Sequence, residues 1–505
     1  MEERSIPLLG DETIKELRES HIAIFGLGGV GSYVAEVLAR QQVGEFSLFD
    51  FDRINITNKN RQIIALESTL GELKVEVMQR RIIDINPEAK VHSYPLRVSE
   101  EEIEHIPFSS FDYVVDCIDD VAGKIAIIKA SKAYGVPVIT SCGTGNKLDP
   151  LQFQIKDISK TTVCPLAKRI RLELKKLGIT EVDALYSTET PILSPDFISS
   201  VPFVPSVAGI LIARHVILKF QEKVRAQKIH LVLVGGGMKG GYTAGVIDLF
   251  LDKNIEFDAV YGVSAGACTA ASYLSKQRTR AFHAMADYVN DKACVSKRSL
   301  AKTGNYFNKE FVYYKIPLEL IPFDFETAEK NPCKLYATVT NVTTGKAEYI
   351  PCYDYHKDIE YICASSSLPM LAEIQWIKDQ GYLDGGIADS IPYAEAMKNA
   401  LKCVVVMTKP IGYKCKKQSS LLQKTIRLKY RKYPKLVQAI ANRHISYNRT
   451  VEKIERDKNV FVIRPSKPIE IGRLEKDQKK LEEVYQLGYQ DALSKYEELI
   501  EFMKK

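Results

Sequence analysis

HIAIFGLGGVG, residues 21–31, decides how the first half of this chain folds. Four apolar residues follow His21 and lead into a Gly-x-Gly-Gly-x-Gly turn from Gly26 to Gly31, and residues 30–41 then take helical spacing. Strand, glycine turn and helix in that order bring backbone N–H groups and the positive end of a helix dipole to a phosphate. Asp50 ends the next apolar run, EFSLFD, where an acid reaches ribose hydroxyls. To this point an NAD-dependent dehydrogenase fits equally well.

Working outward, strand and helix patterns alternate. Residues 73–85 read as a helix and KVHSYPL as extended. DYVVDCI and VPVITS are short, β-branched runs of the kind buried in parallel sheets. The predicted class is doubly wound α/β. The residues after Asp50 do not suit hydride transfer. Asp50 to Gln62 is a dense polar run that includes Asn58 and Arg61; GELK brings Lys74, and DCIDD brings Asp119. Arg61 and Lys74 are candidates to hold a triphosphate, and Asp119 to hold magnesium. Two cations and an acid on one nucleotide serve adenylylation.

These segments resemble the ThiF-type, ubiquitin-activating-like superfamily, and within it the tRNA threonylcarbamoyladenosine dehydratases. The resemblance rests on GLGGVGSYVAEVLAR, DFDRINITNKNRQ, GELKVEVMQRRIIDINPEAKV, DYVVDCIDD and GTGNKLDPLQFQIKDISKTTVCPLAKRIRLELKKLGI. It implies that ATP activates the carboxylate of a threonylcarbamoyl group on a tRNA adenosine, pyrophosphate leaves, and ring closure expels AMP. Gly28 and Gly29 would cradle phosphate, Asp50 the ribose, and Asn58, Arg61 and Lys74 would complete the ATP site, with Mg2+ on Asp119. It further implies tRNA as partner, with Lys156, Lys160, Lys168, Arg169, Arg171, Lys175 and Lys176 as phosphate contacts. Arg4 would reach a neighbouring subunit's site in a homodimer formed through this half. The zinc-binding cysteine pairs of many sulfur-carrier activators are missing, which favours the dehydratase branch. The alternative, activation of a carrier protein's C-terminus, needs a second chain.

A second set of motifs starts at the strand-like IHLVLV, so the expected boundary lies near Lys228, after the prolines of VPFVP and the polar stretch QEKVRAQK; the domains are then 1–228 and 229–505. Gly262-Val263-Ser264-Ala265-Gly266 has the strand–nucleophile–helix pattern. Gly235, Gly236 and Gly237, with Lys239 and Gly240 in the same loop, offer backbone N–H groups for an oxyanion hole. Asp384, in Asp-Gly-Gly after an extended run, is placed to accept the serine proton. A triad completed by His444 or His356 competes with this, but Ser264 lies only 29 residues after Gly235, with few strands before it. GGGMKGGYTAGV, GVSAGACTAASYLS, ASSSLP and DGG resemble the patatin-like phospholipases, which implies a three-layer α/β/α hydrolase, a Ser264–Asp384 dyad, lipid acyl esters as substrate and no cofactor.

The 505 residues allow two to three domains, and 45% hydrophobic content is ordinary for globular protein. The N-terminus is polar and acidic, unlike a secretory signal, so a cytoplasmic location is the expectation. Ten scattered cysteines without a Cys-x-x-Cys pair argue against a disulfide framework; Cys117 and Cys142 fall near the nucleotide site in sequence. The net charge of +7 is uneven: residues 1–228 carry 28 Lys+Arg and 31 Asp+Glu, residues 229–505 carry 42 and 32. From Ala396 to Val451 there is no acid. Lys414 to Lys435 mixes bases with Leu421, Leu422, Ile426 and Leu428, which suits an anionic lipid surface and a peripheral place at the inner membrane. The two halves read as a bifunctional fusion, with a nucleotide-sensing domain that controls a lipase as the alternative.

Overall fold

The computed structural model describes residues 3–192 and 198–504. The chain falls into two compact units, Met1–Val224 and Arg225–Lys505, each with its own sheet.

In the first unit the strands are β1 (His21–Phe25), β2 (Glu45–Phe49), β3 (Lys90–Tyr94), β4 (Tyr113–Asp116), β5 (Val138–Ser141), β6 (Phe153–Asp157) and β7 (Asp183–Ser187). Their order across the sheet is β3-β2-β1-β4-β5-β7-β6, and only β6 runs antiparallel to its neighbour. β1, β4 and β5 are buried almost throughout, as their apolar runs require. The strand order reverses between β1 and β4, where Phe25 pairs with Asp116, so a crevice opens beyond their carboxyl ends. The glycine turn enters that crevice. Gly26 has φ +86°, and a Cβ there would lie 2.9 Å from the Cys117 carbonyl; only glycine fits.

Beneath the crevice lies a buried ion pair that the sequence reading did not anticipate. Lys124, in the helix Val121–Ala133, donates to both Asp116 oxygens at 3.1 and 3.0 Å, and Thr140 donates to the same carboxylate. Both charged side chains are fully buried. Lys124→Met is expected to lower stability by about 3–5 kcal/mol, because it strands a buried carboxylate. Denaturant unfolding of the full chain, followed by hydrogen exchange of the first unit, measures this; wild-type stability in the variant would show that the ion pair contributes nothing to folding.

The stretch QEKVRAQK is not the linker expected. The helix Phe203–Ala226 runs through most of it, as its Gln, Glu, Lys, Arg and Ala favour. This helix is long and apolar enough to cross a membrane, yet Val204, Ala208, Ile212, Val216 and Phe220 are buried in the first unit's core.

The second unit contains β8 (Ile229–Leu233), β9 (Ala259–Val263), β10 (Lys334–Asn341), β11 (Ala347–Cys352), β12 (Gln375–Ile377), β13 (Gln380–Asp384), β14 (Lys402–Val406) and β15 (Val460–Ile463). The order is β12-β13-β10-β9-β8-β14-β15, with β11 also on β10. The central strands β10, β9, β8, β14 and β15 are parallel, and the others antiparallel. The helices Gly240–Asp252 and Ala265–Leu274 follow β8 and β9, so both glycine motifs sit at carboxyl ends of adjacent strands. Both units are α/β, as the alternating patterns predict.

Candidate active sites

In the first unit a cleft of about 710 Å³ is lined by Gly28, Gly29, Asp50, Asn58, Arg61, Gln62, Lys74 and Asp119 among others. The seven residues assigned to nucleotide binding therefore converge, although they come from separate segments. Asp50 Oδ2 accepts the Leu27 N–H of the glycine turn at 2.7 Å, and Oδ1 accepts the Asp52 N–H. Lys74, 4% exposed, donates to Asp52 at 2.6 Å and lies 3.7 Å from Asp50. Burial raises the Asp50 pKa, and Lys74 and the two N–H donors pull it back. Asn58 accepts the Asn55 N–H and caps the short turn that presents Arg61. Among the described residues Arg61 binds only the Thr57 carbonyl and the Asn60 side chain, so no carboxylate among them compensates its charge. Asp119 is exposed at the rim. Gln62 Oε1 is buried without a partner among the described residues, an acceptor left over for a ligand.

In the second unit Ser264 sits between β9 and its helix with φ 55° and ψ −127°, the strained geometry of a nucleophile elbow. Its N–H donates to Ser365 Oγ, which in turn donates to the Thr338 carbonyl. The elbow tolerates only small neighbours: a Cβ on Gly266 would lie 2.1 Å from the Leu233 carbonyl oxygen. Gly235 lies against the serine, its hypothetical Cβ 2.8 Å from Ser264 Cβ. Thr408 donates to the Gly235 carbonyl, and the Arg473 carbonyl accepts the Met238 N–H. The amides of Gly236 and Gly237 keep no acceptor among the described residues. Asp384 ends β13, 4% exposed, and its Oδ1 accepts the Gly386 N–H at 2.8 Å. Burial raises its pKa; the Ser264 hydroxyl, the Gly386 N–H, Arg443 and Arg473 act the other way. Oδ2 has no completed hydrogen bond among the described residues. Ser264 opens into a cavity of about 220 Å³ with largely apolar walls.

Residues 2–232 match the ThiF family model and residues 231–397 the model for patatin-like phospholipase; residues 433–504 match a domain of unknown function, DUF6363. The tRNA threonylcarbamoyladenosine dehydratase of Bacillus subtilis is 39% identical over 240 residues, which are 44% of this chain and 94% of that protein. The chain belongs to the ThiF family. The Escherichia coli tRNA threonylcarbamoyladenosine dehydratase is 38% identical over 36% of this chain and 71% of its own length. A crystal structure of that E. coli enzyme in complex with ATP aligns with a TM-score of 0.42 and 34% identity, covering 44% of this chain and 93% of that one.

The ThiF domain holds a residue that the sequence reading passed over. Cys164 precedes the helix Pro165–Lys176 and lines the cleft together with Cys117 and Cys142. Hydrogen bonds from the Cys142 thiol and from the Ala167 and Gly143 amides, with Lys147 nearby, bring its pKa down to about 5, while the Cys142 thiol is pushed up. The only signal in the sequence was a cysteine at a helix start. Among the bases assigned to tRNA, Arg171 is committed internally, donating to Thr161 through both O and Oγ1, and Lys176 pairs with Glu173. Lys156, Lys160, Lys168, Arg169 and Lys175 are exposed, and Arg169 reaches the cleft.

In the second unit Lys239 donates to the Ile469 carbonyl, tying the glycine loop to a distant segment. Gly240 begins the following helix. His356 stacks on Phe325 and is exposed; His444 Nδ1 bonds the Ala441 carbonyl. Neither lines the Ser264 cavity.

Proposed function

We propose that the ThiF domain uses ATP to activate the carboxylate of threonylcarbamoyladenosine in tRNA. The carboxylate displaces pyrophosphate from the α-phosphate, and intramolecular ring closure then expels AMP, with net loss of water. The observation that carries this reading is 39% identity across nearly the whole length of the B. subtilis dehydratase. The cleft suits ATP: Gly28 and Gly29 leave room beside the helix start, Gln62 keeps a free acceptor, and Arg61 and Lys74 supply cations. Asp119, exposed and without a hydrogen-bond or ion-pair partner among the described residues, would hold Mg2+, which would neutralise charge on the leaving pyrophosphate. Incubating the full chain with ATP and threonylcarbamoyl-bearing tRNA should yield a nucleoside lighter by one water. Activation of a small carrier protein but not of tRNA would select the activator reading, and reduction of NAD would restore the dehydrogenase.

The second unit, on this proposal, hydrolyses lipid acyl esters. Ser264 attacks the ester carbonyl, Asp384 takes its proton, and the Gly236 and Gly237 amides hold the oxyanion. The observation that carries it is the strained Ser264 elbow beside a buried aspartate and a glycine loop whose Gly236 and Gly237 amides have no acceptor among the described residues.

The basic segment would set this unit on an anionic membrane. Ile411, Leu421 and Leu428 are 79%, 75% and 73% exposed. Leu421, Lys424 and Leu428 share one face of the helix Ser420–Lys429, while Ile426 turns into the core. Each base near the surface contributes about 1 kcal/mol at low salt. Binding to phosphatidylserine-rich vesicles should fall steeply with salt and fail on neutral vesicles. Equal binding to both would reject the idea, and preferential capture of tRNA would move this segment to the other activity.

A further inference from the structure

The cavity at Ser264 contains two cations, Arg280 and Lys309, and no carboxylate. Its remaining walls are largely apolar, with Met285, Val289, Ile316 and Phe325 among them. Arg280, at the start of the helix Arg280–Ala286, is nine-tenths buried. One guanidinium nitrogen donates to Ser272 Oγ at 3.2 Å and another to the Ile321 carbonyl at 3.1 Å, and the group lies 4.9 Å over the Phe323 ring. Nε has no acceptor among the described residues. No carboxylate of the described residues lies within ion-pair distance of either cation. Burial brings the Arg280 pKa down to about 10, with only the Cys268 thiol acting the other way, and that thiol is itself pushed up and so neutral. A cation taken out of water without a counter-charge is costly to keep. A guanidinium with an open N–H matches the paired oxygens of a carboxylate or phosphate.

We propose that the group lodged in this cavity carries an anion, a carboxylate or a phosphate, that pairs with Arg280, so that the Ser264 site selects acidic over neutral esters. The proposal rests on the ester-hydrolase reading of that site. The anion has two sources: the far end of an ω-carboxyacyl chain, or a phosphorylated alcohol on the other side of the ester.

Two matched substrate pairs distinguish them: nitrophenyl esters of an ω-carboxyalkanoic acid and of the alkanoic acid of equal length, and a monoacylglycerol phosphate and its dephosphorylated counterpart. Wild-type protein should favour the acidic member of one pair by at least about tenfold in kcat/KM, Arg280→Met should abolish that preference, and Arg280→Lys should keep part of it. The pair that shows the preference names the source. Absence of preference in both pairs, with hydrolysis intact, overturns the proposal and leaves the hydrolase standing. Equal losses on acidic and neutral members in Arg280→Met overturn it too, since a purely structural guanidinium behaves so. Calorimetric binding of a free α,ω-dicarboxylate and of glycerol phosphate to Ser264→Ala, compared with Ser264→Ala/Arg280→Met, needs no turnover. Binding of either compound that disappears in the double variant supports the proposal even if no ester is hydrolysed, and no binding of either compound counts against it.

Discussion

Ser264→Ala is expected to remove ester hydrolysis and labelling by a fluorophosphonate probe, with a rate loss on the order of 10⁶, as when a serine nucleophile is deleted. Asp384→Asn should be nearly as inactive, because the amide retains the hydrogen bond from Gly386 but accepts no proton. The same substitution should raise the melting temperature. Burial raises the Asp384 pKa, so the folded protein holds this proton more tightly than the unfolded chain does. At pH above the ordinary carboxylate range the ionised side chain therefore costs stability, a cost absent below that range and absent in the amide. The same direction sets the activity profile: the base works only as a carboxylate, so kcat/KM should fall, as pH drops, at a pH above that of a solvated aspartate. His356→Ala and His444→Ala should retain turnover, since one ring stacks on Phe325 and the other bonds a backbone carbonyl. An inactive histidine variant, or an Asp384→Asn enzyme that still turns over, would replace the dyad with a triad.

Arg61→Ala and Asp119→Ala are each expected to reduce ATP–pyrophosphate exchange dependent on threonylcarbamoyl-tRNA by at least about a hundredfold, the scale on which removing one charge-stabilising group acts. Neither should unfold the protein. Arg61 gives up two hydrogen bonds to its own turn, and Asp119 is exposed. Lys74→Ala should differ, because it removes the cation that compensates two carboxylates. Lys74 is buried against Asp52 and Asp50, and with it gone the Asp50 pKa should rise further and stability at neutral pH should drop. Exchange together with thermal unfolding separates the two effects: loss of exchange at unchanged melting temperature for Arg61→Ala assigns that guanidinium to the polyphosphate. Unimpaired exchange in both rim variants would remove Arg61 and Asp119 from the site.

A half-buried cation and a buried one thus answer differently, and that difference was not visible along the chain. Arg61 and Lys74 looked alike as bases flanking a glycine turn. Lys74 is buried against Asp50 and Asp52, which follow β2, whereas Arg61, from the same connection, meets only neutral groups of its own turn among the described residues. Cys164 gained its low pKa from Cys142, Gly143, Ala167 and Lys147, three of which stand about twenty residues upstream. Nothing in the sequence singled out Lys124 or Arg280, yet both are buried cations, one paired with Asp116 and one without a carboxylate partner among the described residues. QEKVRAQK read as a linker because it is polar, and became helix because its residues favour helix and the preceding apolar stripe was already anchored in a core.

The amino-acid sequence by itself determined the turns and elbows. GLGGVG, GGGMKG, GVSAG and DGG each impose a local backbone path within a few residues, through missing side chains and, at Gly26, Gly237 and Ser264, positive φ, so they were legible one at a time and placed both clefts at strand ends. The tertiary structure alone decided which charges are compensated and which are left open. Burial strips water from a side chain, and only groups that the fold brings against it can replace that water; Lys124 found Asp116, while Arg61 and Arg280 meet no carboxylate among the described residues.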